Sequence, residues 1–297
     1  MTVDQLDVLP GRPGVLPGRR IAAPLTVTDD ELQLWMLRRP WTESAARPLT
    51  VSGLDDRERE RAASFQRPQD RLLYVSAHLA LRRVLAACLG VHPRDVLLGR
   101  EPCPGCGGPH GRPVVADAPF PLHFSLSHSH GLVLIAVATH PVGVDVEQLP
   151  SAETVDLCTP SLHPAEQKEL ALLPTGERRR AFTRLWTRKE AYLKAIGTGL
   201  SRDLSADYLG EREGPGAPPG PAGWTVRNVP TGSRHSAQSD HSGHCAAVAF
   251  RSAQDHCCTV RRLPEDSLYA DDATATGIVA AVEPRVCALL PVSRALT

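Results

Sequence analysis

Residues Gly143–Glu147 read GVDVE, and this short stretch sets the local structure and the chemistry of its surroundings. Alternating valines and acids predict a β-strand, on which residues i and i+2 point to the same side. Asp145 and Glu147 therefore share one face, while the valines pack behind them. Two carboxylates this close repel each other unless a cation neutralises them, and hard oxygen ligands suit Mg²⁺. The alternative is an edge strand that carries two solvated acids.

A second informative stretch, Trp186–Lys194, reads WTRKEAYLK and has the pattern of a helix. The chain has only three lysines, Lys168, Lys189 and Lys194, whereas its other basic residues are arginines. Two lysines kept beside Glu190 indicate a need for a compact ammonium group rather than a planar guanidinium. Glu190 is the predicted third metal ligand, and the two stretches together predict an oxygen-ligand metal site beside a polyphosphate. The alternative is an ordinary i,i+4 ion pair on a helix surface.

Length and composition limit the class of protein. A chain of 297 residues is long enough for one large domain or two modest ones. A formal charge of zero argues against a general nucleic-acid binder. We find no apolar run of membrane-spanning length and no apolar signal core at the start, so we expect a cytoplasmic protein without a membrane partner.

The hydrophobic pattern predicts an α+β fold, in which both halves show a strand, then a helix, then strands. We expect a flexible leader at 1–25, an N-terminal lobe at 26–149, a C-terminal lobe at 150–263 and a tail of unknown structure at 264–297. The acidic and lysine-containing stretches lie on either side of this boundary, which predicts a site in the cleft between the lobes. The predicted strands are 32–37, 122–126, 132–139, 142–146, 224–229, 245–250 and 257–260, and the predicted helices are 53–65, 69–89, 164–173 and 177–196.

The run Ser125–His130 reads SLSHSH and could suggest a serine hydrolase. Adjacent residues on a strand face opposite ways, so Ser127 and His128 would make a poor nucleophile and base pair. No Gly-x-Ser-x-Gly turn surrounds them. Polar residues that grip a ligand are the better interpretation, with a structural histidine as the alternative.

The segment 100–121 is predicted to be a loop rich in Cys, Gly and Pro. Cys103, Cys106 and His110 have the spacing of half a zinc site, but no second pair with matching spacing follows. We therefore favour a tight loop with two free thiols and keep structural zinc as the alternative. The eight cysteines of the chain are expected to be free, buried thiols, because they are scattered through apolar segments and no secretion signal accompanies them.

Five short motifs occur in a characteristic order and spacing, and together they resemble the 4′-phosphopantetheinyl transferases. The resemblance is to the two-lobed type that activates peptide synthetases and polyketide synthases, and it covers residues 31–262. It implies two similar α/β lobes in a pseudo-twofold arrangement. The motifs are Gly111–Pro113, Phe124–Ser129, Gly143–Glu147, Trp186–Lys194 and Gly199-Leu200.

The resemblance implies a reaction. The 4′-phosphopantetheine arm of coenzyme A, the co-substrate, would pass to a serine of an acyl or peptidyl carrier protein, with release of adenosine 3′,5′-bisphosphate. Such an enzyme would depend on Mg²⁺, with Mn²⁺ as an alternative, and would act as a monomer. Two alternatives stay open: a carrier-binding module of the same fold that has lost catalysis, and a zinc-stabilised interaction protein.

The resemblance also implies roles for individual residues. Asp145, Glu147 and Glu190 would hold Mg²⁺ on the pyrophosphate. Lys194 would neutralise developing charge, and Glu190 would take the serine proton directly or through a water. This makes Glu190, Lys194 and Asp145 the predicted catalytic residues.

A second group of residues is implied to contact coenzyme A. In the two-lobed type an arginine on the first long helix grips the 3′-phosphate, but Leu73 stands at that position here. One of three nearby arginines would have to substitute for it. The implied contacts are Arg61, Arg67, Arg71, Arg112, Ser127, His128, Lys189 and Lys194.

Overall fold

The structure is a computed structural model that describes residues 25–38, 49–211, 216–232, 243–251 and 257–286. The predicted leader lies outside the described residues, apart from its last residue. The strands are β1 (Glu31–Arg38), β2 (Leu98–Arg100), β3 (Pro113–Val115), β4 (His123–Ser129), β5 (Leu132–Ala138), β6 (Val142–Gln148), β7 (Trp224–Asn228), β8 (His244–Arg251), β9 (Cys257–Arg262) and β10 (Arg285–Val286). The α-helices are α1 (Asp56–Ser64), α2 (Pro68–Leu89), α3 (Ala152–Cys158), α4 (Pro164–Ala171), α5 (Thr175–Ile196) and α6 (Asp272–Ala280).

Ten strands form a five-stranded sheet in the order β10-β9-β1-β5-β4, a three-stranded sheet in the order β6-β8-β7, and the hairpin β2-β3 within the described part of the chain. The fold is thus mixed α and β, as predicted. Two pairings cross the predicted lobe boundary: β6 pairs with β8, and β9 runs parallel to β1. Each of the two larger sheets therefore contains strands from both sides of residue 150. The division of the chain into two lobes at this residue stays a prediction.

The predicted strands and the four predicted helices are all confirmed to within a few residues. Three parts of the sequence interpretation need correction. The segment 100–121 is not a plain loop, because β3 pairs with β2. The short helix α3, whose first turn is capped by the Ser151 side chain, was not predicted. The tail contains α6, which the Asp271 side chain caps, and the short strand β10. The strands among these elements have only two or three residues and α3 has seven, too few to give a clear periodic signal in the sequence.

Helix α2 forms the centre of the largest apolar cluster and ends at Gly90, whose φ of 68° is the left-handed conformation that glycine adopts at helix C-termini. By length and composition α2 could cross a membrane, with a mean hydropathy of 1.5 in its most apolar window, but 89% of that window is buried inside the fold. Charged residues interrupt the helix, so a search for uninterrupted apolar runs does not detect it.

The edge strands β4 and β6 of the two sheets are joined by serine side chains. Each hydroxyl of Ser125, Ser127 and Ser129 accepts a hydrogen bond from a backbone N–H of β6. These groups belong to Val144, Val146 and Gln148, at 3.0, 3.2 and 3.2 Å. Because hydroxyls replace a backbone ladder, the two strands stand apart by the length of a side chain, and the acidic residues of β6 face the seam between the sheets.

Helix α5 lies against β6 at a point where only glycine fits. A Cβ added to Gly143 would stand 2.0 Å from the backbone oxygen of Ala191 and 2.5 Å from the nitrogen of Ala195. Both atoms are backbone atoms of the helix and cannot rotate away. Gly143 therefore allows the contact that brings Glu190 and Lys194 to the acids of β6.

We expect Gly143→Ala to lower the free energy of unfolding by about 2–3 kcal/mol, because the methyl group forces α5 off the strand. Urea denaturation at neutral pH measures this change. Gly176→Ala is the matched control, since a Cβ at that helical position meets open space, and alanine there should be neutral or slightly stabilising. A Gly143→Ala protein as stable as the parent would contradict the close approach.

Candidate functional site

A cavity of about 200 Å³ opens where β4, β6, α5 and the segment before β3 meet. Seven of the residues predicted to form the site line it: Arg112, Ser127, His128, Asp145, Glu147, Glu190 and Lys194. The two motifs that were far apart in the sequence are thus brought together. All four residues that were predicted to be catalytic or to bind metal line this cavity: Asp145, Glu147, Glu190 and Lys194.

Asp145 is the centre of the cluster and is only 3% exposed. Its Oδ1 accepts hydrogen bonds from Ser127 Oγ and from Lys194 Nζ, each at 2.8 Å. Its Oδ2 is buried and has no hydrogen-bond partner within the described residues, and the same holds for Oε1 of Glu190. Buried carboxylate oxygens left without a donor are costly, so these two atoms fit a bound cation.

The charges of the cluster do not balance. The pKa of both Glu147 and Glu190 is raised to about 7, first by burial and second by the neighbouring Asp145 carboxylate. Burial opposes the charge on Lys194, but its carboxylate neighbours, Asp145 first, outweigh this effect and raise its pKa. Three carboxylates facing one ammonium are short of positive charge by two units when ionised. A divalent cation with oxygen ligands would supply that charge, so the residues fit Mg²⁺.

Two serines of β4 hold the acids in place. The hydroxyl of Ser127 donates to Asp145, and the hydroxyl of Ser129 donates to Glu147 Oε2 at 3.0 Å. The same hydroxyls accept from the backbone of β6, so each serine fixes both the strand and the carboxylate beside it. Such outer partners orient metal ligands. Ser129 was missed in the sequence analysis, although its two-residue spacing from Ser127 matches that of the two acids.

Arg112 connects the cavity wall to the end of α5. Its guanidinium donates to the backbone oxygen of Ala195 at 2.8 Å and to Glu101 Oε2 at 2.7 Å. A Cβ on Gly197, whose φ is +80°, would lie 3.2 Å from Arg112 Cβ. The basic group at the edge of the cavity is therefore held in a fixed position.

Lys189 does not line the cavity, and its predicted contact with coenzyme A stays a prediction that the geometry does not support. Its ammonium, 2% exposed, forms an ion pair with Glu166 Oε2 at 2.8 Å. It also donates to the backbone oxygens of Leu204 and Asp207, at 2.8 and 2.7 Å. Adjacent residues of a helix point about 100° apart, so Lys189 faces a different side of α5 from Glu190 and points to α4 instead.

The three arginines predicted to hold the 3′-phosphate do not line the cavity either. Arg67 and Arg71 are exposed around the start of α2, and the Arg61 guanidinium lies 5.2 Å from the centre of the Phe65 ring. Two unpredicted residues, His78 and Arg100, line the cavity instead. Neither belongs to a recognisable motif. The role of the three arginines stays a prediction.

The structure brings Cys103, Cys106 and His110 together, with their ligand atoms within 4.8 Å of one another. His110 also lines the cavity. The pKa of the Cys103 thiol is lowered to about 7, and the largest cause is its hydrogen bond with Ser201. All seven cysteines within the described residues are free thiols, as predicted, but Cys106 and Cys257 are exposed rather than buried.

Comparison with known proteins identifies the class of protein. Residues 141–259 match the family model of the 4′-phosphopantetheinyl transferase superfamily. The chain is 35% identical to the 4′-phosphopantetheinyl transferase HetI of Nostoc sp. over 182 residues, which are 60% of this chain and 73% of HetI. It is 34% identical to a putative 4′-phosphopantetheinyl transferase of Synechocystis sp., over 57% of this chain and 70% of the relative. A 4′-phosphopantetheinyl transferase of Bacillus subtilis is 27% identical, over 54% of this chain and 70% of the relative.

The chain belongs to the 4′-phosphopantetheinyl transferase family. The resemblance drawn from the five motifs is thereby confirmed, as is the prediction of a transferase. The family match covers β6, α3, α4, α5, β7, β8 and the first half of β9, and it includes all three predicted metal ligands.

Proposed function

We propose that this chain transfers the 4′-phosphopantetheine arm of coenzyme A to a serine hydroxyl of acyl or peptidyl carrier proteins, with Mg²⁺ held by Asp145, Glu147 and Glu190. The observation that carries this proposal is the pair of buried carboxylate oxygens, Asp145 Oδ2 and Glu190 Oε1, that have no partner among the described residues. They lie beside a lysine in an open cavity. Adenosine 3′,5′-bisphosphate is the other product.

The residues of the cavity divide the work of phosphoryl transfer, which depends on positioning and on charge stabilisation. Bound Mg²⁺ would polarise the pyrophosphate of coenzyme A and neutralise part of its charge. Lys194, whose side chain is 33% exposed beside Asp145, pairs with the phosphate oxygen that gains charge as the bond to the adenosine bisphosphate breaks. Ser127 and Ser129 keep the two acids of β6 from rotating.

A carboxylate is available to accept the proton of the attacking serine. Glu190 lines the cavity, and a carboxylate can act as a general base where it lies within reach of the proton. In the metal-free chain, burial first and Asp145 second raise the pKa of Glu190 to about 7. As the serine oxygen bonds to the β-phosphorus, its proton moves to Glu190, directly or through a water. The leaving oxygen departs with the bonding electrons as part of adenosine 3′,5′-bisphosphate.

Coenzyme A would bind through polar and basic side chains of the cavity. His128 and Ser127 on β4 and the fixed Arg112 meet its phosphates in this proposal, and Arg61, Arg67 or Arg71 reaches the 3′-phosphate. Arg100 also lines the cavity, and its guanidinium donates to the backbone oxygen of Gly111, next to Arg112, at 2.8 Å. It therefore helps to hold the segment that carries Arg112.

The proposal includes the organisation of the protein. We propose two α/β lobes in a pseudo-twofold arrangement, with the active site at the seam of β4 and β6, and a cytoplasmic monomer that binds neither nucleic acid nor membrane. Support for the seam comes from the serine bonds between the edge strands of the two sheets. Mn²⁺ is the alternative metal.

Intact-mass measurement of an apo carrier protein tests this function. Incubation with the chain, coenzyme A and Mg²⁺ should add one phosphopantetheine arm, and EDTA should prevent it. No gain with several acyl and peptidyl carriers would overturn the proposal. Calorimetric titration with coenzyme A would then identify a binding module that has lost catalysis, because such a module would still bind it.

A further inference from the structure

The turn between β2 and β3 folds back on itself around two thiols and an imidazole. The N–H of Cys103 donates to the backbone oxygen of Gly108 at 2.7 Å, and the N–H of Gly107 donates to that of Cys103 at 2.8 Å. Gly107 has a φ of +73°, a conformation that side chains rarely adopt. The backbone of this turn therefore places both sulfurs and the ring of His110 around one point.

The distances within this cluster suit a tetrahedral metal. Zinc takes sulfur at about 2.3 Å and nitrogen or oxygen at about 2.0 Å, so tetrahedral ligand atoms are about 3.5 Å apart. All three ligand atoms of the cluster lie within 4.8 Å of one another, and Cys106 Sγ lies 2.9 Å from His110 Nε2. The Ser201 hydroxyl, from the turn after α5, is 3.5 Å from Cys103 Sγ.

We propose that Cys103, Cys106 and His110 bind a Zn²⁺ ion, with the fourth position on the side of Ser201 filled by its hydroxyl or by a water. Two thiolates and an imidazole select zinc over the hard cations that suit the carboxylate cluster. The lack of a second cysteine pair argued against zinc in the sequence, but the fold supplies its fourth position from a turn that lies far away in the chain. The site revises our preference for a loop of free thiols.

The ion would stabilise one wall of the cavity. Immediately after His110 come Gly111 and Arg112, both of which line it. A Cβ on Gly111 would stand 2.3 Å from the backbone oxygen of Glu101, so only glycine allows the two chain segments to approach this closely. On the other side, Cys103 is 2% exposed and meets the turn that contains Ser201. Zinc would thus connect the cavity wall formed by Gly111 and Arg112 to the turn after α5. It would thereby support the binding of coenzyme A, a role that rests on the proposed function.

Metal content tests the site independently of activity. The full chain, purified without an affinity tag under reducing conditions and supplied with Zn²⁺, should retain about one zinc per chain after dialysis, measured by mass spectrometry of the metal. Replacing zinc with Co²⁺ should give the visible and thiolate charge-transfer bands of a tetrahedral site. Cys106→Ser and His110→Ala should each lose most of the zinc and these bands.

Cys257→Ser is the matched control, because Cys257 is an exposed free thiol outside the cluster, and it should keep the zinc of the parent. A parent chain without stoichiometric zinc, or a Cys106→Ser protein that keeps it, would overturn the site. Circular dichroism of each variant establishes that it is folded.

Kinetics test the role in the cavity wall. Loss of the metal in Cys106→Ser should raise KM for coenzyme A by about tenfold, the usual scale for removing a support of a binding site, with a smaller change in kcat. An unchanged KM in a variant that has lost its zinc would overturn the wall role and leave the site itself in place. Failure of the parent chain to transfer the arm, with zinc present, would count against the proposed function alone.

Discussion

Glu190→Gln should reduce the rate of transfer by at least about a hundredfold, the scale expected for removing one charge-stabilising group from an active site, and should also make the metal-free protein more stable. The substitution removes one ligand charge and the proposed base while it keeps the size of the side chain. Activity falls because the amide neither binds a hard cation well nor accepts the serine proton. The intact-mass assay with an apo carrier measures this loss.

The gain in stability follows from the sign of the pKa shift. Burial, with Asp145 as the second cause, raises the pKa of Glu190 from 4.5 to about 7 in the folded chain. Between these two values the folded state binds more protons than the unfolded state, so the free energy of unfolding falls as the pH rises through this window. Above about pH 7 the full cost of the buried charge is present, and Gln removes it.

Urea denaturation in EDTA distinguishes these effects. At pH 8 we expect Glu190→Gln to be more stable than the parent by about 3 kcal/mol, and at pH 5 by less than about 1 kcal/mol. Glu177→Gln, at an exposed position in the first turn of the same helix, should change neither stability nor activity. Full turnover in Glu190→Gln would show that the metal assignment is wrong, and a lack of stabilisation at pH 8 would show that the carboxylate is not strained.

The secondary structure around the site could be predicted from the sequence, because it follows from local periodicity. The two-residue alternation in GVDVE gave β6 and the shared face of its acids, and the helical spacing of Glu190 and Lys194 gave their side of α5. Gly90 marked the end of α2. These features depend on neighbours within a few residues, so a single chain contains the information.

What the sequence did not reveal are partners that lie far apart in the chain. The serines of β4 looked like ligand contacts, but their hydroxyls also bridge two sheets, and the 18-residue separation of Ser129 from Glu147 has no local pattern. His78 and Arg100 line the cavity without belonging to a motif. The cluster of Cys103, Cys106 and His110, which we propose binds zinc, was given too little weight for the same reason, because Ser201 is 98 residues from Cys103.

The scarcity of lysine was informative, but for a reason that differs between the two residues. Lys194 lies with the carboxylates, as expected for a compact cation. Lys189 is instead a buried structural residue. Its ammonium has three donors, and three oxygens, from Glu166, Leu204 and Asp207, receive them. A planar guanidinium has five donors in a fixed fork and would not match this arrangement.

Lys189→Met should lower the free energy of unfolding by about 3–5 kcal/mol, the cost of leaving one partner of a buried ion pair without the other. Glu166 is fully buried, with 0% of its side chain exposed, and would lose the only cation that pairs with it among the described residues. Glu166 would still accept hydrogen bonds from the backbone N–H groups of His163 and Leu209. The segment after α5 would nevertheless be attached more weakly to α4, because the contacts made through Lys189 would be lost. Urea denaturation at pH 7 measures the change.

Lys168→Met, which changes an exposed lysine of α4, is the matched control and should alter stability by less than about 0.5 kcal/mol. Adding Glu166→Gln to Lys189→Met should recover part of the loss, since the amide no longer leaves a charge buried. Folded Lys189→Met protein should keep its KM for coenzyme A, because Lys189 does not touch the cavity. If the single variant were stable but had a KM for coenzyme A many times higher, the contact with coenzyme A implied by the sequence would be correct and the structural role wrong.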